Sequence, residues 1–492
     1  MRSVVIVGAG LAGMVAARGL KRAGFHVTLL ESTDSAGGKA GSKLQNGRLR
    51  EHGYHIFPAW YLNVRNLLGE LDIDLIDFDR FYYLQPKAEL ANQPMADRFM
   101  VMYGFNSFTA VIKNIFSGLA PWPEVFLQAY FVIDALAERM SRRYFLDRIS
   151  RTGLLRSRWY ASNDIASLEG ESTLKASAVP AYEMSAMTAR LVTGYWLKNR
   201  KPFLSILRDD MQQAFIQPLL DKLQSESIEI EYNCPVTAIE TDGDRIGAVV
   251  CGDGSRKLAD YFLFTTPLEV TRKLMQKNLI SLDPDLGNFE HLEAAPMTAI
   301  HISLNRKIEG LPEQHVFFKG GRYGLSFIDQ SQHWPGLDET ELSFISSNFI
   351  PLKDLDESAQ FEMLFEEIRQ YVDITMDDIA DYTFQSNLQV PLFINTVAAW
   401  PNRPDVSCST IGNLFFAGDW VRNDIDLACM EGAVSSAMNA ARAIDQSAHG
   451  ASQLPAAAVP RRFSTFTMML AKALLFPFAL VIWLLARLGV GR

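Results

Sequence analysis

Cysteine is scarce in this sequence, with four residues among 492. No two cysteines are separated by only two residues, and none has a histidine at a spacing typical of metal ligands. We therefore expect no metal site, and reduced, mostly buried thiols in a protein that faces the cytoplasm. The four positions are Cys234, Cys251, Cys408 and Cys429.

Positive charge is also in short supply, since 47 lysines and arginines stand against 56 acidic residues and the formal net charge is −9. The body of the chain has no basic block, so nucleic acid is not expected as a partner. A signal peptide is not expected either, because the first predicted strand begins at residue 3 or 4. Hydrophobic residues make up 48% of the chain and charged residues 21%, which is enough for a large folded core.

The opening stretch, VVIVGAGLAGMVAARGLKRAGFHVTLLE at residues 4–31, has the pattern of a strand, a tight turn, a helix and a second strand. Gly8, Gly10 and Gly13 follow the first apolar run with GxGxxG spacing. In that spacing the first glycine permits the turn, the second lets backbone approach a pyrophosphate, and the third lets the helix pack on the strand. The helix N-terminus presents free N–H groups to the phosphates. This stretch predicts a βαβ dinucleotide-binding unit.

The acidic residue at the end of this stretch restricts the nucleotide. A carboxylate at Glu31 can accept the hydroxyl groups of an adenosine ribose, and it repels a 2′-phosphate. NADP is therefore disfavoured, and NAD or FAD remains.

The residues shortly after Glu31 bear on that choice. Residues 34–42 carry a second glycine pair, which includes Gly38, and a cation at Lys39. Taken alone they predict an ordinary surface turn with a solvated lysine. Placed directly after a dinucleotide fold, they resemble the second motif of flavoproteins with two dinucleotide-binding motifs, in which such a turn reaches the cofactor.

A stretch far downstream, residues 413–444, favours FAD. It predicts a strand, then Gly418 and Asp419, then a small-residue helix from about Met430. Asp419 could bind a ribityl or pyrophosphate-side hydroxyl, or it could simply cap a turn or helix. The helix N-terminus could stabilise negative charge on the pyrimidine edge of a reduced flavin. Because two distant parts of the chain would then meet on one cofactor, we predict FAD.

The order of these segments predicts an α/β protein with a Rossmann-like FAD fold of two dinucleotide-binding motifs, an interleaved α+β substrate domain and a C-terminal apolar membrane-associating helix. Alternating strand patterns and the run ADYFLFTTP return the chain to the nucleotide sheet after a mostly helical insertion. The expected divisions are FAD-binding parts at 1–84, 228–267 and 401–447, a helical substrate- or membrane-facing insertion at 85–227, a second substrate part at 268–400, and the apolar tail at 461–492.

The C-terminal stretch FTMMLAKALLFPFALVIWLLARLGV, residues 466–490, is the most apolar part of the chain. Lys472 and Arg487 enclose 14 uncharged residues, fewer than the roughly 20 of a typical spanning helix. Counted from Phe466, with Lys472 snorkelling to one interface, the run reaches spanning length, and Pro477 would kink it. We expect membrane contact, either spanning or lying in the plane of the membrane, with the catalytic body on the cytoplasmic side. The alternative is a buried core helix.

Two stretches carry a family resemblance. REHGYHIFPAWYLNVRNLLGEL at residues 50–71 and LACMEGAVSSA at residues 427–437 resemble segments of the plant and cyanobacterial phytoene and ζ-carotene desaturases. These belong to a wider superfamily with hydroxysqualene dehydroxylases and monoamine oxidases. The resemblance is good over the first 80 residues, 228–267 and 411–444, and elsewhere it is one of pattern only. It implies an FAD-dependent, membrane-associated oxidoreductase that acts on long isoprenoid hydrocarbons.

The resemblance also implies site residues. Val236 matches a valine whose backbone commonly meets the adenine, and His55 could contact the flavin or be a structural histidine. With the glycines of the motifs, the expected FAD-binding residues are Gly8, Gly10, Ala12, Gly13, Glu31, Gly38, Lys39, Tyr54, His55, Val236, Gly418, Asp419 and Met430.

The sequence departs from the family pattern at Pro58-Ala59-Trp60, where the desaturases usually carry Phe-Gly-Ala. This segment follows a predicted flavin contact, so we expect Phe57, Trp60 and Tyr61 to contact a changed substrate. For acid–base chemistry the sequence offers only His55 and Glu431, and Glu431 at a helix start is also typical of a charge that stabilises the helix end. No general base is identified, and the electron acceptor, whether a quinone, oxygen or another carrier, is not indicated.

Three classes of function remain open. The first is a membrane-associated desaturase or dehydrogenase of a carotenoid-like isoprenoid or related lipid, in which hydride passes to flavin N5. The second is an amine-oxidising flavoenzyme, with a hydroxysqualene dehydroxylase-like enzyme as a further enzymatic alternative. The third is a non-catalytic FAD-binding protein, because nucleotide folds are sometimes kept for stability alone.

Overall fold

The computed structural model describes residues 2–90, 93–104, 107–199, 201–275 and 277–491. The strands within these residues are β1 (Ser3–Val7), β2 (His26–Leu30), β3 (Lys43–Gln45), β4 (Arg48–Arg50), β5 (Leu75–Phe78), β6 (Arg80–Leu84), β7 (Phe99–Tyr103), β8 (Leu204–Leu207), β9 (Ile230–Glu231), β10 (Val236–Asp242), β11 (Arg245–Cys251), β12 (Arg256–Lys257), β13 (Tyr261–Phe264), β14 (Glu293–Ala295), β15 (Thr298–Leu304), β16 (Val316–Phe318), β17 (Leu325–Asp329), β18 (Glu341–Ser346), β19 (Ile379–Ser386), β20 (Leu392–Ile394) and β21 (Leu414–Phe416). The α-helices are α1 (Leu11–Arg22), α2 (Leu62–Glu70), α3 (Phe108–Ile115), α4 (Trp122–Ala137), α5 (Arg143–Asp147), α6 (Arg151–Arg156), α7 (Asn163–Ser177), α8 (Ala186–Lys198), α9 (Gln217–Ser225), α10 (Leu268–Leu274), α11 (Lys277–Leu282), α12 (Glu357–Tyr371), α13 (Met430–His449) and α14 (Thr465–Arg487).

A parallel sheet with the strand order β21-β13-β1-β2-β9 brings the three nucleotide-facing stretches together. The first strand is central, with Val5 paired to Thr28 on one side and to Phe262 on the other. Strand β21 joins the outer side of β13. The strands predicted at the start of the chain, at 259–267 and from Leu414 are confirmed. Their side chains form continuous apolar runs because both faces of the sheet are covered, one by α1 and α13 and the other by the β10–β11 hairpin and α10.

A second sheet has the strand order β19-β15-β18-β17-β16-β6-β7 and is antiparallel except between β16 and β6. Its buried face packs on α12 through side chains such as Phe344 and Phe365. The structure differs here from the expected boundary at residue 84. Strand β6 belongs to this sheet, because Tyr82 and Tyr83 pair with Val316 and Phe317 far along the chain. Such a pairing leaves no local signal in the sequence.

The region expected to be mostly helical, residues 85–227, contains α3 to α9 together with two strands. Strand β7 extends the second sheet beside β6, and β8 pairs with β5. Both are short, apolar and flanked by helices, so their sequences look like helix segments.

The C-terminal helix α14 lies along α4 in the opposite direction. Lys472 Nζ is 2.7 Å from the buried Asp134 Oδ1 near the C-terminal end of α4, whereas Gly491 lies against Trp122 at the other end of α4. Within α14 only Ala479 is fully buried, and Leu474 is 65% exposed. Among the described residues α14 is the one helix that is long and apolar enough to cross a membrane. The core-helix alternative is therefore not supported, since most of this apolar surface is uncovered.

The expectation of four reduced cysteines is wrong for one pair. Cys234 and Cys251 form a disulfide with a Cα–Cα distance of 5.6 Å. Strands β10 and β11 form a hairpin in which Val236 pairs with Cys251, and this register places Cys234 beside Cys251. The pairing could not be read from their 17-residue separation in the sequence. Cys408 and Cys429 are free.

Candidate active site

The GxGxxG turn joins β1 to α1. Gly8 has φ +107°, a backbone conformation that favours glycine, and a Cβ on Gly13 would lie 1.9 Å from the carbonyl oxygen of Gly8. A Cβ on Gly10, in contrast, would meet only the Cα of Gly38, at 3.9 Å, within a 4 Å radius. Gly8 and Gly13 therefore serve the turn and the helix–strand packing, while Gly10 leaves open space in front of the helix.

That open space suits a pyrophosphate. Gly10 is the N-cap of α1 and offers no side chain to occupy the free N–H groups of Leu11 and Ala12, and the first turn of the helix carries no acidic residue among the described atoms. The second glycine motif lies against the first, because Gly37 forms a parallel bridge to Gly10. A Cβ on Gly38 would come within 3.1 Å of the Gly10 Cα. The two motifs predicted to share a cofactor are therefore in contact.

Glu31 lies beside the same turn. Its buried carboxylate accepts hydrogen bonds at 2.9 Å from the Ala9 N–H and at 3.0 Å from the Thr33 N–H. The backbone carbonyl of Glu31 accepts a hydrogen bond from the Cys234 N–H at 2.8 Å, which brings the start of β10, and with it Val236, close to Glu31. The expected contacts Gly8, Gly10, Ala12, Gly13, Glu31, Gly38 and Val236 are thus gathered around one turn. Lys39 lies near them and donates to the Pro391 carbonyl at 3.2 Å.

Gly418 and Asp419 follow β21, two strands away from this turn in the same sheet. Gly418 has φ +143°, and the hydroxyl of Ser436 on α13 both accepts from its N–H and donates to its carbonyl at 2.9 Å. Asp419 is half-buried, and Met430 is the first residue of α13. A strand end and a helix N-terminus thus face the same edge of the sheet as the glycine turn.

The loop between Asp419 and Met430 is shaped by a residue that sequence reasoning missed. Buried Arg403 donates to the carbonyl oxygens of Trp420 at 2.8 Å and Val421 at 2.7 Å, and it pairs with Asp426 at 2.6 Å. Since a guanidinium has five donors in a fixed fork, one side chain fixes three points of this loop. Nothing in the sequence distinguishes Arg403 from other arginines.

His55 lies in the loop between β4 and α2. Its Nδ1 is 2.8 Å from Glu51 Oε2, and the other carboxylate oxygen of Glu51 accepts the Met211 N–H at 2.8 Å. Because a carboxylate only accepts, Nδ1 carries the proton of this hydrogen bond. Glu51 is therefore an orienting partner for His55. Sequence reasoning missed it, although an acidic residue four positions before a candidate histidine was a usable signal.

Two further histidines, close to Glu51 and His55, are neutral. Burial, aided by the nearby His55, lowers the pKa of His52 to about 3. Burial lowers the pKa of His301 to about 4, although its Nε2 lies 2.7 Å from the Glu51 carbonyl oxygen, a contact that favours the charged ring. His52 and His301 are therefore neutral neighbours of Glu51 and His55.

Tyr54 points into the second sheet. Its buried hydroxyl is hydrogen-bonded to His315 and, at 2.6 Å, to Ser326. Burial lowers the pKa of His315 to about 3, so this ring is neutral and Tyr54 is a fully partnered packing residue in the structure. Its contact with FAD stays a prediction.

A small cavity of about 20 Å³ lies between this segment and the second sheet. Buried Gln330 lines it, and neither its amide oxygen nor its amide nitrogen has a partner among the described residues. An unpaired buried amide is costly, so Gln330 is a polar group without a described partner on the wall of this cavity, which His55 also lines. The lining residues are Glu51, Tyr54, His55, Ile206, Leu207, Asp209, Met211, Ile328, Gln330 and Trp334.

The three expected substrate contacts pack in the core instead of lining that cavity. Phe57 is 0% and Trp60 1% exposed, and the Trp60 ring lies 4.6 Å from Tyr61 and 5.7 Å from Tyr195. Contact of Phe57, Trp60 or Tyr61 with substrate stays a prediction. Their burial indicates that they shape the site through packing.

The side chain of Glu431 is held by hydrogen bonds from the start of α2. Its fully buried carboxylate accepts from the N–H groups of Asn63 and Val64 at 2.9 Å, so it caps the N-terminus of α2. Burial raises the pKa of Glu431 to about 7 against these donors, which favour the charged form. It joins the two stretches that carry the family resemblance. A proton-transfer role for Glu431 stays a prediction.

The parallel sheet, the paired glycine turns and the helix N-terminus at Met430 are typical of the class of proteins that bind a dinucleotide. The profile of one family, the flavin-containing amine oxidoreductases, matches residues 11–445, and the chain belongs to this family. FAD is its cofactor, and it is an FAD-dependent oxidoreductase of the phytoene desaturase-like kind. The open space at Gly10 and the carboxylate of Glu31 fit this cofactor.

Relatives and solved structures agree with this assignment. The chain is 24% identical over 467 residues to 15-cis-phytoene desaturase of Capsicum annuum, covering 90% of this chain and 78% of the relative. It is 24% identical over 473 residues to 15-cis-phytoene desaturase of Synechococcus elongatus, covering 90% and 95%. Cyclohexylamine oxidase from Brevibacterium oxydans has a TM-score of 0.67 at 14% identity, with 90% of this chain and 99% of that chain covered. Putrescine oxidase has a TM-score of 0.65 at 16% identity, covering 90% and 98%. The two structural likenesses show the fold alone.

Proposed function

We propose that this protein is a membrane-associated dehydrogenase that introduces a carbon–carbon double bond into a long isoprenoid or related lipid. The observation that carries the proposal is the position of the two desaturase-like stretches. Residues 50–71 supply His55 and α2, residues 427–437 supply the start of α13, and Glu431 bonds one stretch directly to the other. Similarity to phytoene desaturases over 90% of the chain supports the same substrate class.

The exposed apolar surface supports a substrate taken from a bilayer. Leu488 at the end of α14 is 79% exposed and Phe108 on α3 is 81% exposed. Phe108, Ile112 and Phe116 recur every four residues on one face of α3 and the turn after it, and the Phe116 ring lies 6.1 Å from Trp122, against which Gly491 packs. Helices α3 and α14 therefore present neighbouring apolar faces, as expected of a surface that lies in a membrane interface.

The packing of α14 favours the in-plane arrangement over the spanning one. A spanning helix would leave the body, whereas α14 follows α4 from Asp134 to Trp122. Lys472 is paired with Asp134, whose other oxygen accepts the Tyr160 hydroxyl at 2.6 Å. We propose the cytoplasmic side for the catalytic body, although a disulfide such as Cys234–Cys251 is rare in a reducing compartment.

The protein's own residues would bind the cofactor, exclude water and orient the substrate. Bound FAD supplies a two-electron acceptor for the hydride. The Gly10 turn and Glu31 would hold the dinucleotide, and the α13 N-terminus would stabilise negative charge at the pyrimidine edge. His55, oriented by Glu51, would accept or relay the proton lost from the carbon next to the hydride donor. The electron acceptor that reoxidises the cofactor is a quinone or oxygen in this proposal.

One observation favours a second candidate, a substrate that carries oxygen. The unpaired amide of Gln330 next to His55 would bind a hydroxyl or carbonyl group better than a hydrocarbon. An isoprenoid alcohol, as in a dehydroxylase-like enzyme, meets that requirement and also suits the apolar surface.

Anaerobic mixing tests these candidates. Linear isoprenoid hydrocarbons in liposomes should bleach the flavin absorbance, and common primary amines should not. Reoxidation of pre-reduced flavin by isoprenoid alcohols, which lose the hydroxyl group as water, without bleaching of oxidised flavin by hydrocarbons, would favour the second candidate, and Gln330→Leu should then slow that reoxidation. Bleaching by a soluble amine at low concentration, without response to any isoprenoid, would contradict the proposal in favour of an amine oxidase.

A further inference from the structure

The chain between α13 and α14 is hydrogen-bonded to the rest of the protein through Asn63 and Arg462. We call residues 452–462 the C-terminal strap. It begins at Ser452, whose hydroxyl donates to Asp445 at 2.7 Å, and it passes over Asn63 before α14 begins. The strap forms no helix or strand among its described residues, so these side-chain bonds fix its path.

The first fastening is at Asn63. Its side-chain oxygen accepts the Ala458 N–H at 2.8 Å and its side-chain nitrogen donates to the Ala458 carbonyl at 2.9 Å. The same nitrogen donates to Glu431 at 2.7 Å. Since Glu431 directly follows Met430, one buried asparagine connects the strap to the flavin-facing start of α13.

The second fastening is at Arg462. Its guanidinium donates to both the carbonyl and the carboxylate of Asp424 at 3.0 Å, and to the Tyr195 hydroxyl at 3.1 Å. Asp424 lies in the loop between Asp419 and Met430. The buried Tyr195 hydroxyl donates to the Asp424 carbonyl at 2.5 Å, and the Tyr195 ring packs against Trp60. Arg462 is therefore three residues from the start of α14, and it is hydrogen-bonded to the loop between Asp419 and Met430, two residues that are predicted to contact the flavin.

We propose that Asn63 and Arg462 are positioning residues that couple the docking of α14 on a membrane to the binding of FAD. The inference rests on the proposed membrane attachment. Membrane contact restrains α14 and the strap, and the strap in turn restrains the Asp424 loop and the α13 N-terminus in the form that holds the flavin. By linkage the coupling is reciprocal, so bound FAD strengthens membrane binding by the same factor.

The full-length apoprotein, titrated with FAD with and without vesicles, tests the coupling. The vesicles contain equal parts of phosphatidylcholine and phosphatidylglycerol. For the natural sequence, the FAD dissociation constant should fall by roughly fivefold or more on addition of vesicles, the lower end of typical couplings. FAD should raise vesicle partitioning by the same factor, and the visible flavin band should shift when vesicles are added.

Arg461 provides a matched control, since it is exposed and has no hydrogen bond or ion pair within the described part of the chain. Arg461→Ala removes the same charge from the strap and should keep both the coupling and the spectral shift. In Arg462→Ala, the ratio of the FAD dissociation constants without and with vesicles should fall to about one. Arg462→Lys should restore part of the difference. Asp424→Ala should act like Arg462→Ala although it removes no cation, which separates positioning from attraction to anionic lipid.

The outcomes are distinguishable. Vesicle binding with an unchanged FAD dissociation constant would overturn the coupling and leave membrane attachment intact. Failure of the natural sequence to bind vesicles would overturn the attachment and the coupling together. Equal coupling in Arg461→Ala and Arg462→Ala would overturn the role given to Arg462.

Discussion

The two sides of the active site are built in opposite ways. On the nucleotide side, backbone geometry within a few residues creates the site, as when Gly8 turns the chain and Gly10 clears space in front of a helix. On the side of His55, long-range side-chain contacts create it, because Glu51, Met211 and His301 come from three separate elements. The backbone at Gly8 and Gly13 tolerates no added side-chain atom, whereas a network of side chains can be adjusted by substitution. The first side is suited to a cofactor of fixed shape, and the second would suit the substrate in the proposed function.

The largest effect should come from filling the nucleotide turn. Gly13→Ala would place a Cβ 1.9 Å from the Gly8 carbonyl, so the helix must move away from the strand and FAD binding should be lost in a titration of the purified protein. Gly69→Ala is the control, because a Cβ there meets nothing within 4 Å and the helix should gain slightly. Retention of FAD by Gly13→Ala would contradict the close-packing account.

On the side of His55, a core substitution should lower the stability of the protein more than it affects FAD binding. Trp60 is fully buried among Tyr61, Tyr195 and Trp196, so Trp60→Ala should lower the free energy of unfolding by about 3–5 kcal/mol in urea titrations. Trp159→Ala, at a residue 42% exposed, should cost clearly less. If Trp60→Ala lowers the free energy of unfolding only slightly and changes the substrate preference, Trp60 contacts the substrate, as predicted from the sequence.

The junction between the two sides should depend on pH. The pKa of Glu431 in the folded protein is about 7, above the ordinary 4.5, so the folded state binds more protons than the unfolded state between these values. The free energy of unfolding should therefore fall as pH rises through this window, by about 3 kcal/mol in total at about 1.4 kcal/mol per unit. Urea titrations at pH 5 and pH 8 measure this fall.

Glu431→Gln supplies the comparison for that measurement, since the amide does not titrate. The difference in pH dependence between the two proteins isolates Glu431 from the other carboxyl groups. Identical pH dependence of the two proteins would show that the pKa of Glu431 is the same in the folded and unfolded states. Burial would then not raise this pKa.

A smaller effect is expected at the pair that orients His55. Glu51→Gln keeps the shape of the side chain but weakens the hold on the His55 ring, so the rate of flavin reduction by substrate should fall about tenfold, or about 1.4 kcal/mol, with FAD content unchanged. Glu89→Gln, at an exposed site, should leave the rate unchanged. Loss of FAD from Glu51→Gln would mean that the pair supports the cofactor instead of the substrate.

The same contrast explains what could be predicted from the sequence. The turn from Gly8 to Gly13, the acid at Glu31 and the strand before Gly418 follow from spacing over a few residues, and the structure has them where they were expected. The Cys234–Cys251 pair, the placement of β6, the role of Arg403 and the bond between Glu51 and Met211 depend on which distant segments meet. Spacing along the chain holds no information on such meetings. Burial of Trp60 has the same origin, because Tyr195 and Trp196 come from α8.

The mass of the product of a single turnover tests the central claim, that a cofactor held by the Gly10 turn oxidises a hydrocarbon held beside His55. The FAD-loaded protein in liposomes is mixed anaerobically with one equivalent of a linear isoprenoid, and the extracted lipid is analysed by mass spectrometry. We predict a product lighter by two hydrogen atoms, with one more conjugated double bond, in an amount equal to the flavin that was reduced. Flavin reduction with the isoprenoid recovered unchanged, or a product that has lost or gained oxygen, would contradict the account.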